Sequence, residues 1–80
     1  MNYKELFRRF AIQHGFNLKV YLDSSTFVHQ SGVAGCFADA EMYAVYETDE
    51  RGQAKNIRYH CSEYLAYADL ASRFGYEFKP

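Results

Sequence analysis

The side chains in this sequence that are best suited to covalent chemistry are those of Cys36 and Cys61, with His29 and His60 as candidate bases. A nucleophilic cysteine needs a neighbouring base or a positive field to become a thiolate. At Cys36, His29, His60 or Asp39 would have to serve as the base or orient it. The spacing of these residues in the sequence does not show that they lie close together in the fold. Because free cysteines commonly pack as small apolar residues, we expect no catalytic residue. A thiol-dependent enzyme at Cys36 is the remotest alternative.

The same cysteines and histidines are ligand types that zinc prefers, but they lack the spacing of a structural zinc site. No short chelating pair occurs, and the neighbours His60 and Cys61 would point to opposite faces of a strand. We therefore expect no metal and no cofactor. The two cysteines also lack CxxC spacing, which favours free, buried thiols; a Cys36–Cys61 disulfide is the alternative for an exported protein.

A glycine-containing segment at residues 32–35 has backbone amides that a loop could present to a phosphate. The segment lacks the Lys-Ser/Thr pair that completes a P-loop, and it lacks the flanking helix-turn-helix pattern of KH domains. The sequence therefore predicts a plain turn here.

The strongest candidate for a binding site is a tyrosine-rich face of a predicted β-sheet. Side chains alternate between the two faces of a strand, so apolar positions that face the helices force their neighbours outward. The predicted inward set is Phe16, Leu18, Val20, Val45, Ile57 and Tyr59, and the predicted outward, protein-binding set is Lys19, Tyr21, Met42, Tyr46, Asn56, Arg58 and His60.

Three interpretations of this outward set stay open. Tyr and Arg are enriched where proteins bind proteins, since they supply large contact areas with hydrogen-bonding ends. The same side chains could stack single-stranded bases, with Arg58 and Lys19 on the phosphates. Tyr also has a high strand propensity, so an idle, half-exposed face is the third interpretation.

The elements that would position this face are centred on residues 41–61. Apolar and polar residues alternate on both sides of the turn-forming segment 48–52, and this pattern predicts a β-hairpin. A helix over residues 37–48 is the competing interpretation, because Ala, Met and Glu are good helix formers.

A helix is predicted to follow the hairpin directly. Ser62 is a typical N-cap residue, and Glu63 suits the first turn because of the helix dipole. Apolar residues then recur at intervals of three and four up to Phe74, and Gly75 is suited to end the helix in a left-handed conformation.

The N-terminal part of the chain predicts a second helix and a strand. Asn2 is a candidate N-cap for an apolar stripe that ends near Gly15, and residues 16–22 alternate as a strand does. A similar sequence at residues 76–79 predicts a short terminal strand. Residues 24–40 fit a short strand or a loop.

These elements form a single α+β domain spanning residues 1–80. The predicted order is α-β-(β)-β-β-α with an optional short C-terminal strand. The predicted architecture is a mainly antiparallel sheet with both helices packed on one face. Eight tyrosines, seven phenylalanines and an apolar content of 49% favour a packed globule over disorder.

Composition limits the partners. Nine basic and ten acidic residues leave a formal net charge of -1, so no global field draws the protein to nucleic acid or to an anionic membrane. No apolar run approaches the length of a membrane span, and charged residues occupy the N-terminal stretch where a signal peptide is apolar. We expect a cytoplasmic protein without membrane contact.

The order α-β-β-β-α resembles that of double-stranded RNA-binding domains, and the resemblance covers nearly the whole chain at the level of order alone. Those domains open their second helix with a lysine cluster that contacts phosphates. The corresponding helix here opens Ser-Glu-Tyr-Leu-Ala at residues 62–66, with an acid where the phosphate contact would be. The functional motif of that family is therefore absent.

The sequence favours a non-enzymatic protein-binding module that acts through its open sheet face and central loop. A small adaptor, or an inhibitor or immunity-type protein of the kind found as phage or plasmid accessory proteins, fits the size and neutral charge by analogy. The alternative is a single-stranded nucleic-acid-binding domain that uses the same Tyr, Arg and His side chains. A protein partner is expected, and pairing of exposed strand edges into a homodimer is compatible with it.

Overall fold

A computed structural model describes residues 2–79 as two helices against one face of a four-stranded sheet. The helices are α1 (Tyr3–His14) and α2 (Glu63–Ser72), and a short 3-10 helix (Asn17–Lys19) follows α1. The strands are β1 (Val20–Tyr21), β2 (Ala34–Asp39), β3 (Met42–Thr48) and β4 (Ala54–His60). This architecture confirms the predicted α+β fold with both helices on one side of the sheet.

The helix caps form as the sequence predicts. The Asn2 side chain accepts a hydrogen bond from the Glu5 amide at the start of α1, and Ser62 accepts one from Leu65 at the start of α2. Gly15 ends α1 in the left-handed conformation, with φ 79°. These caps are local, so residue type alone fixes them.

The strands lie in the order β1-β2-β3-β4, with β1 parallel to β2 and the other pairs antiparallel. The predicted hairpin is present as β3 and β4. A second hairpin joins β2 to β3, so the competing helix over residues 37–48 is wrong. Ala40 takes φ 56° in the tight turn of this second hairpin.

The main core lies between the helices and the sheet. Phe7 of α1 stacks on Tyr67 of α2 with ring centroids 5.1 Å apart. The residues buried in this layer are Phe7, Ala11, Phe16, Leu22, Ala34, Cys36, Val45, Ala66, Tyr67, Leu70, Ala71 and Phe78. Val45 and Cys36 therefore mark the helix side of the sheet.

The opposite, outer side of the sheet carries a smaller core, which the chain covers with its own segment 24–32. Phe27 packs edge-on against Phe37 and Tyr46, with ring centroids 5.0 Å away in both cases. Tyr46 lies opposite Gly35, where a Cβ atom would come within 2.5 Å of the tyrosine hydroxyl oxygen. Glycine is needed at this position because the Tyr46 side chain fills the space above it.

The predicted strand over residues 16–22 is mostly wrong. Phe16 and Leu22 are buried as expected, but the 3-10 helix turns the chain between them and leaves Leu18 86% exposed. Only Val20 and Tyr21 pair with β2. The turn forms because the Lys19 amide bonds back to the Phe16 carbonyl, while the Phe16 ring stacks on Phe74.

The predicted terminal strand at residues 76–79 is also wrong. This segment is coil, and the Phe78 ring inserts beside Phe7 and Phe10 with ring centroids 5.3 Å away in both cases. Burial of one aromatic side chain in the helix layer holds the tail, and strand pairing is not used.

Candidate functional site

Tyr46 does not lie on an open face, although it points to the predicted side of the sheet. Its side chain is 1% exposed, and its hydroxyl accepts a hydrogen bond from the Val28 amide at 3.0 Å. Burial raises the pKa of the Tyr46 phenol. The central loop that was expected to bind a partner thus covers half of the sheet face. The sequence gives no signal for this, because coil that covers a sheet has no period.

The predicted facing of β4 is reversed. Residues that lie directly opposite on paired strands point to the same face of a sheet. Arg58 lies opposite Val45, and His60 lies opposite Tyr43, so both side chains lie on the helix side and not on the outer side. Tyr59 lies opposite Ala44 on the outer side, where the sequence predicted an inward position.

A β-bulge causes this reversal. Between the pairs Val45–Arg58 and Glu47–Lys55 the register shifts by one residue, because β4 has two residues in this interval where β3 has one. Asn56 takes φ 51° at this point. An extra residue in one strand changes the face to which the following side chains point. Asparagine tolerates a positive φ better than most residues. The presence of Asn at position 56 is therefore the local signal in the sequence that is compatible with the bulge.

On the helix side, β4 is attached to α2 through the carboxylate of Asp69. His60 Nε2 lies 2.8 Å from Asp69 Oδ2, and Arg73 Nε donates to Oδ1 at 3.1 Å. Arg58 Nη1 is farther away, at 3.9 Å from Oδ1, and its side chain is 72% exposed. The Asp69 side chain itself is nearly inaccessible to solvent.

The acidity of Asp69 reflects this setting. Burial alone would raise the pKa of the carboxyl group, but hydrogen bonds and charge from Arg73 and His60 outweigh it. The pKa of Asp69 is therefore lowered from its ordinary value of 3.8. The carboxylate form is the one that binds β4 to α2.

On the outer side, β4 exposes Ile57 and Tyr59, which the sequence predicted to face the core. Tyr59 is 49% exposed and Ile57 is 42% exposed, and Met42 of the neighbouring strand is also exposed. β4 is an edge strand, since no other strand of residues 2–79 pairs with its far side. The other edge, β1, is only two residues long. A seven-residue edge beside exposed Ile and Tyr is the largest unpaired sheet surface of the described chain.

The remaining predicted site residues do not form one surface. Asn56 is exposed at the bulge and donates to the Glu47 carboxylate. The Tyr21 hydroxyl donates to the Gln30 side chain and helps to hold the covering segment. Lys19 is exposed in the 3-10 helix, where it lines a groove with Lys55. Of the predicted site residues, only Met42 lies exposed on the outer face with Ile57 and Tyr59.

The thiol chemistry considered at Cys36 has little support from its surroundings. Burial, with a smaller effect from the charge of Glu63, raises the pKa of the Cys36 thiol to about 12, so the thiolate is scarce at neutral pH. Both cysteines are free, but Cys61 is exposed and not buried as expected. No group of three or more metal-ligating side chains occurs within residues 2–79.

Comparisons with models of protein families, with curated proteins and with solved structures found no match for this chain. Of the helices that the structure describes, none is long and apolar enough to cross a membrane. Function must therefore be argued from the geometry of the chain itself.

Proposed function

We propose that this protein is a non-enzymatic binding module that receives an extended segment of a partner protein along the free edge of β4. The observation that carries the proposal is the unpaired edge of Ala54–His60 with Ile57 and Tyr59 exposed on its outer side. A free edge offers backbone hydrogen bonds to an added strand, and pockets beside it select alternate side chains. Both an adaptor and an inhibitor would use such an edge.

The charges beside this edge favour an acidic partner segment. Lys55 and Arg58 pair with residues that mark the helix side of β3, so both lie along one face of β4. The nearby carboxylates already have donors, since Asn56 binds Glu47 and Arg73 binds Asp69. An added strand with acidic side chains on this face and apolar side chains over Ile57 and Tyr59 would complement both sides.

A second copy of the chain is a poorer occupant of this edge. Antiparallel pairing of two β4 strands would gather two copies of Lys55 and Arg58 on the same face. Like charges on neighbouring strands destabilise pairing, and positive charge on an edge strand is a common protection against self-association. We therefore assign the edge to a different protein.

The nucleic-acid alternative is less well supported by this geometry. A base-stacking platform needs aromatic and basic side chains on one surface. Here Tyr59 and Arg58 lie on opposite faces of β4, and Tyr46 is buried. The free thiols of both cysteines suit a reducing compartment, so we propose that the module works in the cytoplasm.

The test has two steps. Tagged protein is used to capture partners from its source lysate after nuclease treatment, and the captured protein is then titrated against variants. Tyr59→Ser combined with Ile57→Ser should weaken binding by about a hundredfold, because central apolar contacts carry most interface energy. Leu18→Ser is the matched control, since Leu18 is equally apolar and more exposed but lies outside β4.

Hydrogen exchange supplies the second readout. Strand addition should slow the exchange of β4 backbone amides when the partner is bound, because those amides become hydrogen-bonded. Equal binding by the β4 variant and the Leu18 control would overturn the site. A dimer of the pure protein that the β4 substitutions abolish would assign the edge to a second copy instead.

A further inference from the structure

A second groove, separate from the outer side of β4, lies where the end of α2 meets the ends of β3 and β4. Its volume is about 270 Å³, and its lining includes Lys19, Lys55 and Arg73. We propose that this groove binds a phosphate group, either as inorganic phosphate or as the monoester of a small molecule. The proposal rests on observations other than the free edge of β4, although Lys55 belongs to both sites.

Positive charge converges on this groove from three separate elements. Lys19 belongs to the 3-10 helix, Lys55 belongs to β4, and Arg73 directly follows α2. Glu47 is the only acidic residue of the lining, and its carboxylate already accepts from the Asn56 amide. Within residues 2–79 neither lysine makes an ion pair. A chain of formal charge -1 thus holds a local excess of positive charge here.

Arg73 carries a buried nitrogen without a hydrogen-bond partner within residues 2–79. Its side chain is only 9% exposed, and two of its nitrogens, Nε and Nη2, donate to Asp69. The third nitrogen, Nη1, is buried and has no hydrogen-bond partner among the described residues. A buried charged donor without an acceptor is costly, so an anionic oxygen that approached Nη1 would remove that penalty.

The geometry of the guanidinium directs this nitrogen away from Asp69. Nε and Nη2 lie along one edge of the planar group, and Nη1 lies on the other. Arg73 lines this groove, whereas Asp69 does not. Arg73 also lines a neighbouring groove together with Asp69. In the proposed complex a small shift of the Arg73 side chain presents the buried Nη1 to an anion that the two lysines hold.

The helix end beside the groove does not oppose an anion strongly. The last carbonyls of a helix carry partial negative charge when they are unsatisfied. In α2 the carbonyls of Asp69, Ala71 and Ser72 all accept backbone amides from residues 73–76. These bonds reduce the negative field that the helix terminus would otherwise direct at the ligand.

The size and donors of the groove favour phosphate over a larger or a planar anion. Its volume lies at the lower limit for pockets that hold drug-sized molecules. Three cationic side chains from separate elements suit a group with several charged oxygens, and lysine and arginine are the usual phosphate-binding side chains. The glycine turn supplies no free amide here, since Val33 donates to Thr48 Oγ1 and Gly32 donates to the Asp49 carbonyl.

The experiment is an NMR titration of the full chain with inorganic phosphate at constant ionic strength, followed by methyl phosphate and acetate. We expect saturable shifts of the Lys19 and Lys55 amides and of the Arg73 Nε–H group. Lys19→Gln should weaken binding by about tenfold, because it removes one charge-assisted contact. Lys79→Gln removes the same charge outside the groove and should leave the affinity unchanged.

Arg73→Lys separates charge from the free nitrogen. Lysine keeps a positive charge for Asp69 but has no nitrogen in the place of Nη1, so phosphate binding should weaken while circular dichroism stays native. Tighter binding of methyl phosphate than of phosphate would identify a monoester as the ligand, and the reverse would identify the free ion. Shifts that do not saturate, that acetate reproduces, or that Lys19→Gln leaves unaltered would overturn the proposal.

Discussion

Tyr46 and Tyr59 lie on the same face of the same sheet, and the chain treats them in opposite ways. Tyr46 on β3 is 1% exposed beneath Phe27 and Val28, whereas Tyr59 on β4 is 49% exposed. Segment 24–32 covers β2 and β3 and leaves the outer side of β4 open. The outer face is therefore two surfaces, one buried in a core and one exposed to solvent.

The strands beneath the two surfaces differ in their packing, since β3 is packed on both sides and β4 is held mainly from the helix side. β3 is central in the sheet and gains its outer contacts from the covering segment. β4 is held from the helix side, where His60 and Arg73 share the carboxylate of Asp69.

The largest effect should come from removing the covered tyrosine. Tyr46→Ala deletes a fully buried ring that packs against Phe27 and Phe37, so we expect a loss of about 4 kcal/mol in the free energy of unfolding. Urea denaturation measures this loss. Tyr59→Ala is the matched substitution on the open half and should change stability by less than about 1 kcal/mol. Similar losses for both variants would show that the outer face is not divided in this way.

A smaller loss in the free energy of unfolding is expected when the contacts of Asp69 between β4 and α2 are removed. Asp69→Asn removes the charge that pairs with Arg73 and leaves the buried guanidinium uncompensated, at an expected cost of about 3 kcal/mol. Asp23→Asn is the control, because the Asp23 carboxylate pairs with Lys4 and Arg8 at the surface and should contribute below about 1 kcal/mol.

Acid should remove the stabilising contribution of the Asp69 carboxylate. Since the pKa of Asp69 is lower in the folded protein than its ordinary value of 3.8, its stabilising contribution is complete above that value. The contribution is lost as the pH falls through the folded-state pKa. Urea midpoints measured from about pH 7 to about pH 2 should fall less steeply at the acidic end for Asp69→Asn than for the wild type. An unchanged slope would mean that Asp69 does not hold β4.

The smallest effect on the protein is expected from alkylating its cysteines, of which Cys36 is buried and Cys61 is exposed. Iodoacetamide at neutral pH should modify Cys61 in the folded protein and spare Cys36, whose burial raises its pKa to about 12. Peptide mass spectrometry with and without urea measures the extent of alkylation at Cys36 relative to that at Cys61. If Cys36 were alkylated at the rate of Cys61 without urea, the thiol-dependent alternative would gain support.

Much of the fold could be predicted because its signals are local. The Asn2 and Ser62 caps, the left-handed Gly15 and the hairpin of β3 and β4 each depend on a few neighbouring residues. The candidate site was predicted less well. Of its seven residues only Met42 lies exposed on the outer face beside Ile57 and Tyr59, since period two gives the alternation of a strand but not the face on which it begins.

The sequence by itself determined the two helices, the positions where they start and the hairpin of β3 and β4, because capping, periodicity and turn residues act over a few neighbouring positions. Tertiary structure alone decided which side of β4 meets the helices and which half of the outer face is covered. One extra residue at Asn56 reverses the facing of a strand, and a coil segment without any repeat buries Tyr46. Both depend on contacts between residues distant in the chain, which no local pattern encodes.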